Sequence, residues 1–153
     1  PTQFLIVRQI TPGYIFLIPG SSARHPQKRW PYYGELVQKL MLKGYTVVTA
    51  PGPDELELCR NYPCHVLFKD DKSVSMSLLA GLIQKSRFII GNDTGPTHLA
   101  AYLGIPGLAL FGNHASPQST GLDRYFEVLE ERSLKKLSVE RVLEDVERCL
   151  LHR

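Results

Sequence analysis

Short apolar runs alternate along the chain with amphipathic stretches, and glycine, proline or hydroxyl residues punctuate the joins. Tyr14–Ile18, after the break at Thr11-Pro12-Gly13, reads as a buried strand. So do Tyr45–Ala50, His65–Phe68, Arg87–Ile90 and Gly107–Phe111, and Phe126–Leu129 is a candidate last strand. Helical patterns fill the intervals. Pro31 opens one whose stripe is Leu36, Val37, Leu40 and Met41, and Gly44 closes it. Asp54–Arg60 predicts a second, with Asp54 and Glu55 favourable in its first turn. Ser73–Lys85 predicts a third, with Ser73 or Ser75 at its cap and Leu78, Leu79, Leu82 and Ile83 facing the core. Ser138–Leu151 closes the chain with Val139, Val142, Leu143, Val146 and Leu150 on one face. Phe4–Ile10 is apolar without a decisive period, and Gly112–Arg124 is a long irregular segment, a candidate active-site loop. Strand–helix alternation with short connections implies an α/β fold. Its sheet should be doubly wound and mostly parallel, with ligands at the carboxyl ends of the strands.

The chain centres on Arg87–Phe111. The strand Arg87–Ile90 runs into a polar turn, Gly91-Asn92-Asp93-Thr94-Gly95, and Pro96 is placed to begin a helix over Thr97–Leu103 that Gly104 and Pro106 stop. Backbone amides at such a helix start lack intrahelical partners and sit at the positive end of the dipole, which makes an anion site, most often for phosphate. His98 adds a donor for a bound oxyanion. Asp93 suits fixing the loop or meeting a ligand hydroxyl better than touching phosphate.

Two further loops should open on the same edge. Pro19-Gly20-Ser21-Ser22-Ala23, followed by Arg24-His25-Pro26-Gln27-Lys28-Arg29 and Trp30-Pro31, offers hydroxyls, bare backbone and cations. Trp30 reads as a packing residue and His25 as exposed. Ala50-Pro51-Gly52-Pro53-Asp54-Glu55 is the other, with Glu57 read as solvent-facing.

The 153 residues suffice for one domain with a real core. A net charge of +3, with Lys and Arg scattered, gives no argument for nucleic acid but is compatible with a polyanionic small ligand. Cys59, Cys64 and Cys149 lack C-x-x-C or metal-ligand spacing and read as reduced thiols of a cytosolic protein. No apolar run reaches the ~18 residues of a membrane span, and no signal peptide is recognisable. The start at Pro1, without Met, is expected of a processed product or a piece of a longer protein.

Asp93-Thr94-Gly95-Pro96-Thr97-His98-Leu99-Ala100 resembles the D-[ST]-G-x-x-H-x-A signature of glycosyltransferase family nine, the heptosyltransferases of lipopolysaccharide core synthesis. A bare D-T-G also marks aspartic proteases, but one copy in a parallel α/β pattern does not suit their two-lobed β architecture. Gly20-Ser21-Ser22 with Lys28-Arg29-Trp30-Pro31 is similar to the family's donor-diphosphate loop, and Ala50–Glu55 to its G-G-P-x-E turn, with Pro51 where a glycine is common.

The resemblance implies a Rossmann-like domain over residues 1–153, the C-terminal half of a GT-B enzyme whose N-terminal acceptor domain is absent. It implies binding of ADP-heptose and inverting transfer of heptose to a lipopolysaccharide inner-core acceptor. Lys28 would offset charge on the leaving nucleoside diphosphate. Ser21, Ser22, Asp93, Thr94, Gly95 and His98 would surround the phosphates and sugar, Glu55 would meet the ribose, and Val74 and Met76 the base. Arg24, Arg29 and His114 are further candidates, although Gly112-Asn113-His114 departs from the family's G-P-[ST]. No cofactor or metal is expected, in keeping with the lack of a D-x-D pair. The general base and most acceptor contacts would lie in the absent half, so the chain alone should be inactive. The full-length enzyme would act in the cytoplasm at the inner face of the inner membrane, with peripheral membrane contact. The alternatives are a stand-alone nucleotide-binding module and a related enzyme using another nucleotide sugar.

Overall fold

The computed structural model describes residues 2–20, 29–53, 55–112 and 117–151. Ser21, Ser22, Arg24, His25, Lys28 and His114 therefore lie outside the described residues, as does Asp54.

Six parallel strands form one sheet: β1 (Tyr14–Ile18), β2 (Val47–Thr49), β3 (His65–Val66), β4 (Ser86–Asn92), β5 (Gly107–Phe111) and β6 (Glu127–Glu130). Their order is β3-β2-β1-β4-β5-β6, the doubly wound Rossmann-like arrangement, which reverses direction between β1 and β4. The helices are α1 (Thr2–Val7), α2 (Tyr33–Leu42), α3 (Leu56–Cys59), α4 (Met76–Gln84), α5 (Gly95–Tyr102), α6 (Pro117–Thr120) and α7 (Val139–Leu151). Short 3-10 turns occupy Leu122–Arg124 and Leu134–Lys136.

Alternation along β1 shows how the sheet becomes a two-sided core. Ile15 and Leu17 face α2 and α7, whereas Tyr14, Phe16 and Ile18 face α1, α4 and α5. A strand covered on both faces must be apolar throughout, and all five of its residues are buried. Cap chemistry sets two helix starts: the Ser75 hydroxyl accepts from the Leu78 amide at 3.2 Å, and Ser138 accepts from Arg141 at 3.1 Å. Gly44, at φ +92°, follows α2 in a conformation that costs glycine little.

Several elements differ from the pattern. Phe4–Ile10 overlaps α1, which buries Leu5 and leaves Ile6 and Val7 outward. Met41 is 41 % exposed rather than part of the stripe, because Leu36, Val37 and Leu40 already fill the face of α2. The second helix shrinks to the four residues of α3. Gly112–Arg124 is not wholly irregular, since it contains α6 and a 3-10 turn. β4 is longer than read: Gly91 and Asn92 belong to the strand, paired with Ile18 and Leu110. Outside β2, β3 is only two residues long, and beyond it Lys69 and Lys72 bridge across Asp70 and Asp71, both at positive φ. At the other edge, β6 begins and ends on exposed glutamates.

Candidate functional site

The loops leaving β1, β2 and β4 meet where the strand order reverses, the place at which open α/β sheets bind ligands. A cleft of about 450 Å³ opens there, walled by Ala50–Pro53 and Glu55 on one side and by Thr94–Pro96 on the other, with Ser73, Val74, Met76 and Leu79 between them. A smaller recess shares the Glu55 and Thr94 walls and reaches Pro19 and Gly20.

Glu55 occupies the N-cap position of α3, but its side chain makes no cap hydrogen bond. Its carboxylate lies over bare backbone instead. A Cβ on Gly52 would come 2.6 Å from Oε2 of Glu55, and one on Gly20 would run into the same side chain. Two glycines from two loops thus clear the space for one carboxylate at the cleft wall.

Thr94 is the N-cap of α5 in extended conformation, and its hydroxyl does not cap that helix either; it lies 3.3 Å from Oγ1 of buried Thr97. The early amides of α5 are therefore not taken by the cap side chain, and Pro96 has none to satisfy. A helix start in this state attracts an oxyanion. Thr97 fits because Gly91 has no side chain: a Cβ there would sit 2.5 Å from Thr97 Oγ1.

Asn92 fastens these loops together. Fully buried at the end of β4, it donates from Nδ2 to the Pro19 carbonyl at 2.8 Å and accepts at Oδ1 from the Tyr33 hydroxyl at 2.9 Å. The β1 loop, β4 and α2 share this one amide. Trp30 is 2 % exposed, donates to the Leu137 carbonyl at 2.8 Å and meets Tyr33 edge-to-face, which confirms it as a packing residue. Glu57 is exposed and pairs with Arg60.

Beneath α3 lie groups that the cleft does not use. Burial pushes the Cys59 thiol up to about 12, with the nearby Glu55 and Cys64 adding to the effect and Arg29 and Thr49 opposing it. Burial also pushes Cys64 up to about 12, and Tyr33 and Tyr62 well above the ordinary phenol value. All of them are held neutral, and none is tuned as a nucleophile. Among the described residues no His, Cys, Asp and Glu side chains cluster as a metal site, and no helix is long and apolar enough to cross a membrane.

The sequence profile of glycosyltransferase family 9 (heptosyltransferase) matches residues 7–143. The chain belongs to glycosyltransferase family 9. Lipopolysaccharide heptosyltransferase 3 of Escherichia coli is 29 % identical over 111 residues, which cover 65 % of this chain and 32 % of that protein. The structure of the E. coli ADP-heptose lps heptosyltransferase II superposes with a TM-score of 0.84 at 26 % identity, over 99 % of this chain and 51 % of that one. E. coli heptosyltransferase WaaC, solved with ADP-2-deoxy-2-fluoro heptose, shares the fold, with a TM-score of 0.74 at 24 % identity over 90 % of this chain and 44 % of that one. The family-9 chain thus spans about half or less of the length of these relatives.

The family-9 signature divides in space. Thr94 and Gly95 line the cleft, and Glu55, Val74 and Met76 join them there. His98 does not line it: its Nε2 lies 3.0 Å from Oδ1 of Asp93, and the ring borders a second groove beside α6. Asp93 is 6 % exposed and is the partner that orients the His98 ring. Sequence reasoning missed Tyr33 and the fastening role of Asn92, and named Gly20 only as bare backbone of its own loop. The available signal for Asn92 was a lone amide ending a run of Phe88, Ile89 and Ile90.

Proposed function

We propose that the chain is the donor-binding, C-terminal half of an inverting GT-B heptosyltransferase, which takes heptose from ADP-heptose for a lipopolysaccharide inner-core acceptor. The observation that carries this reading is the opposition of Glu55 and the uncapped start of α5 across one cleft, within a family-9 fold. The separation of tasks follows chemically. An anionic carboxylate accepts from sugar hydroxyls, as acidic residues do for ribose in other nucleotide folds. The amides at the helix start hold the diphosphate. Val74 and Met76 offer apolar surface for a base, and Lys28, with Ser21 and Ser22, would neutralise the charge that develops on the leaving diphosphate. This arrangement needs no metal ion or resident cofactor. The general base and most acceptor contacts would come from another domain, so this chain alone binds nucleotide without transferring heptose. The complete enzyme would work in the cytoplasm at the inner face of the inner membrane.

The test is a thermal-shift titration with ADP, UDP, GDP and inorganic phosphate. A ligand at ~100 times its Kd adds roughly 2.7 kcal/mol, a shift of several degrees for a domain of this size. An ADP-selective shift that Glu55→Gln and Thr94→Val both diminish supports the reading. Equal shifts with all three nucleotides, or heptose transfer by the 153-residue chain, would count against it.

A further inference from the structure

A second groove, of about 360 Å³, runs along α5 and is lined by His98, which does not line the first cleft. His98 and Tyr102 stand four residues apart on α5 and share one face. The opposite wall is the segment after α6. There Gly121, at φ +81°, turns the chain, Leu122 and Phe126 are buried beneath, and Arg124 and Tyr125 border the groove above them. Hydrogen bonds from Tyr125 and Phe126 amides to the Leu122 carbonyl, at 3.1 and 2.9 Å, hold this wall in place. The groove is preformed rather than a gap between loose ends.

Its chemistry is uneven for an ordinary surface. Tyr102 is 87 % and Tyr125 63 % exposed, and small Ala101 and bare Gly121 line the groove with them. Arg124 makes no ion pair among the described residues, while the His98 imidazole is oriented by the buried Asp93 carboxylate. The exposed aliphatic side chains Ile6, Val7, Leu42 and Leu151 are not among its lining residues, so its character is aromatic, hydroxylic and cationic. Aromatic faces over a small-residue floor accept a pyranose-sized ring, and an uncommitted guanidinium prefers carboxylate or phosphate.

We propose that this groove is a second binding site, for a saccharide carrying negative charge. The inference rests on the reading of the chain as part of a glycosyltransferase, and it gives this half a direct contact with a charged sugar of the acceptor. Tyr102 and Tyr125 flank the ring, Arg124 receives the anion, and His98 donates or accepts at a hydroxyl.

The experiment is a series of amide NMR titrations of the 153-residue chain with glucose 6-phosphate, glucuronate, glucose and inorganic phosphate. A saturable shift of amides in 98–102 and 121–125 with either charged sugar supports the site, and the stronger of the two identifies phosphate or carboxylate as the preferred anion. Arg124→Gln and Tyr102→Ala should each weaken that response about tenfold, the loss of one charged or stacking contact. No response there at about 20 mM charged sugar, far above a millimolar Kd, overturns the proposal. So does an equal response to inorganic phosphate alone, or an unchanged response in Arg124→Gln. ADP added to the same samples reads the first cleft through Gly52 and Thr94. A missing ADP response sinks the donor reading while the saccharide response stands, and a missing saccharide response sinks this proposal while the donor reading stands.

Discussion

Replacing Asn92 by alanine tests whether one buried amide holds the candidate site together. Asn92 and Tyr33 are both fully buried, so neither Tyr33's hydroxyl nor the Pro19 carbonyl finds water readily when the amide is removed. Each orphaned group costs about 1–3 kcal/mol, and taking about 1.5 kcal/mol for each of the two gives a loss near 3 kcal/mol. At about 2–4 °C per kcal/mol for a domain of this size, Tm should fall by roughly 6–12 °C. Tyr33→Phe removes one of the two bonds and strands only Asn92 Oδ1, at a cost of about 1–2 kcal/mol. Because the residues share a hydrogen bond, the double variant should lose less than the sum, with a coupling of about 1 kcal/mol. Urea unfolding reads all four proteins conveniently, since Trp30 is the one tryptophan and lies buried against Tyr33. A loss below about 0.5 kcal/mol in Asn92→Ala, or strict additivity in the cycle, would refute the argument. If the amide is the fastener, ADP affinity should also fall in Asn92→Ala, because Pro19-Gly20 is no longer tied to the start of α5.

Gly20→Ala should separate binding from stability: its methyl forces the Glu55 side chain aside at the cleft wall, so an ADP titration weakens while the unfolding free energy changes by less than about 1 kcal/mol. Gly91→Ala should do the reverse, costing about 1–3 kcal/mol in unfolding experiments because its methyl meets Thr97 Oγ1 and, at 3.1 Å, Ile18 Cβ in the packed sheet. Cys59, which is buried, should resist iodoacetamide at pH 8 in the folded chain, half-buried Cys64 should react slowly, and both should react on unfolding, as mass spectrometry of the alkylated protein will show; rapid native labelling of Cys59 would contradict its burial. The same thiols carry a sign for pH. The folded state keeps their protons above the ordinary thiol value of 9.0, where the unfolded chain loses them, so their contribution is complete below about 9 and is lost as pH rises toward about 12. A Tm that is flat or rising between pH 9 and 11 would count against it.

How much was legible depended on how local the cause was. Tyr14–Ile18 and Gly107–Phe111 are apolar throughout and bounded by glycine or proline, and the structure returns both with the same limits. The Ser75 cap was one of two serines named, and its geometry three residues on settles the choice. Asn92 read as a turn because its partners, Tyr33 and Pro19, lie 59 and 73 positions away, so nothing nearby signals that an amide can be buried there. Glu55 could be ranked from its loop, but the bare backbone it covers at Gly20 belongs to another strand's loop. His98 was placed correctly near the helix start, yet the direction of its ring depends on the pairing with Asp93 and on the segment beside α6. Met41 shows the limit of periodicity, since a stripe can name more apolar residues than the neighbouring helix has room to cover.

The two outer strands bear on how such a chain behaves when crowded. β3 offers only two residues of ladder before the charged bridge from Lys69 to Lys72, and β6 flanks its ladder with Glu127 and Glu130. Short or charged borders are poor templates for a foreign strand, which counters the edge-to-edge stacking that leads to fibres. Lateral growth of this sheet is thus discouraged at both flanks, while its strand-end rim stays open to small molecules.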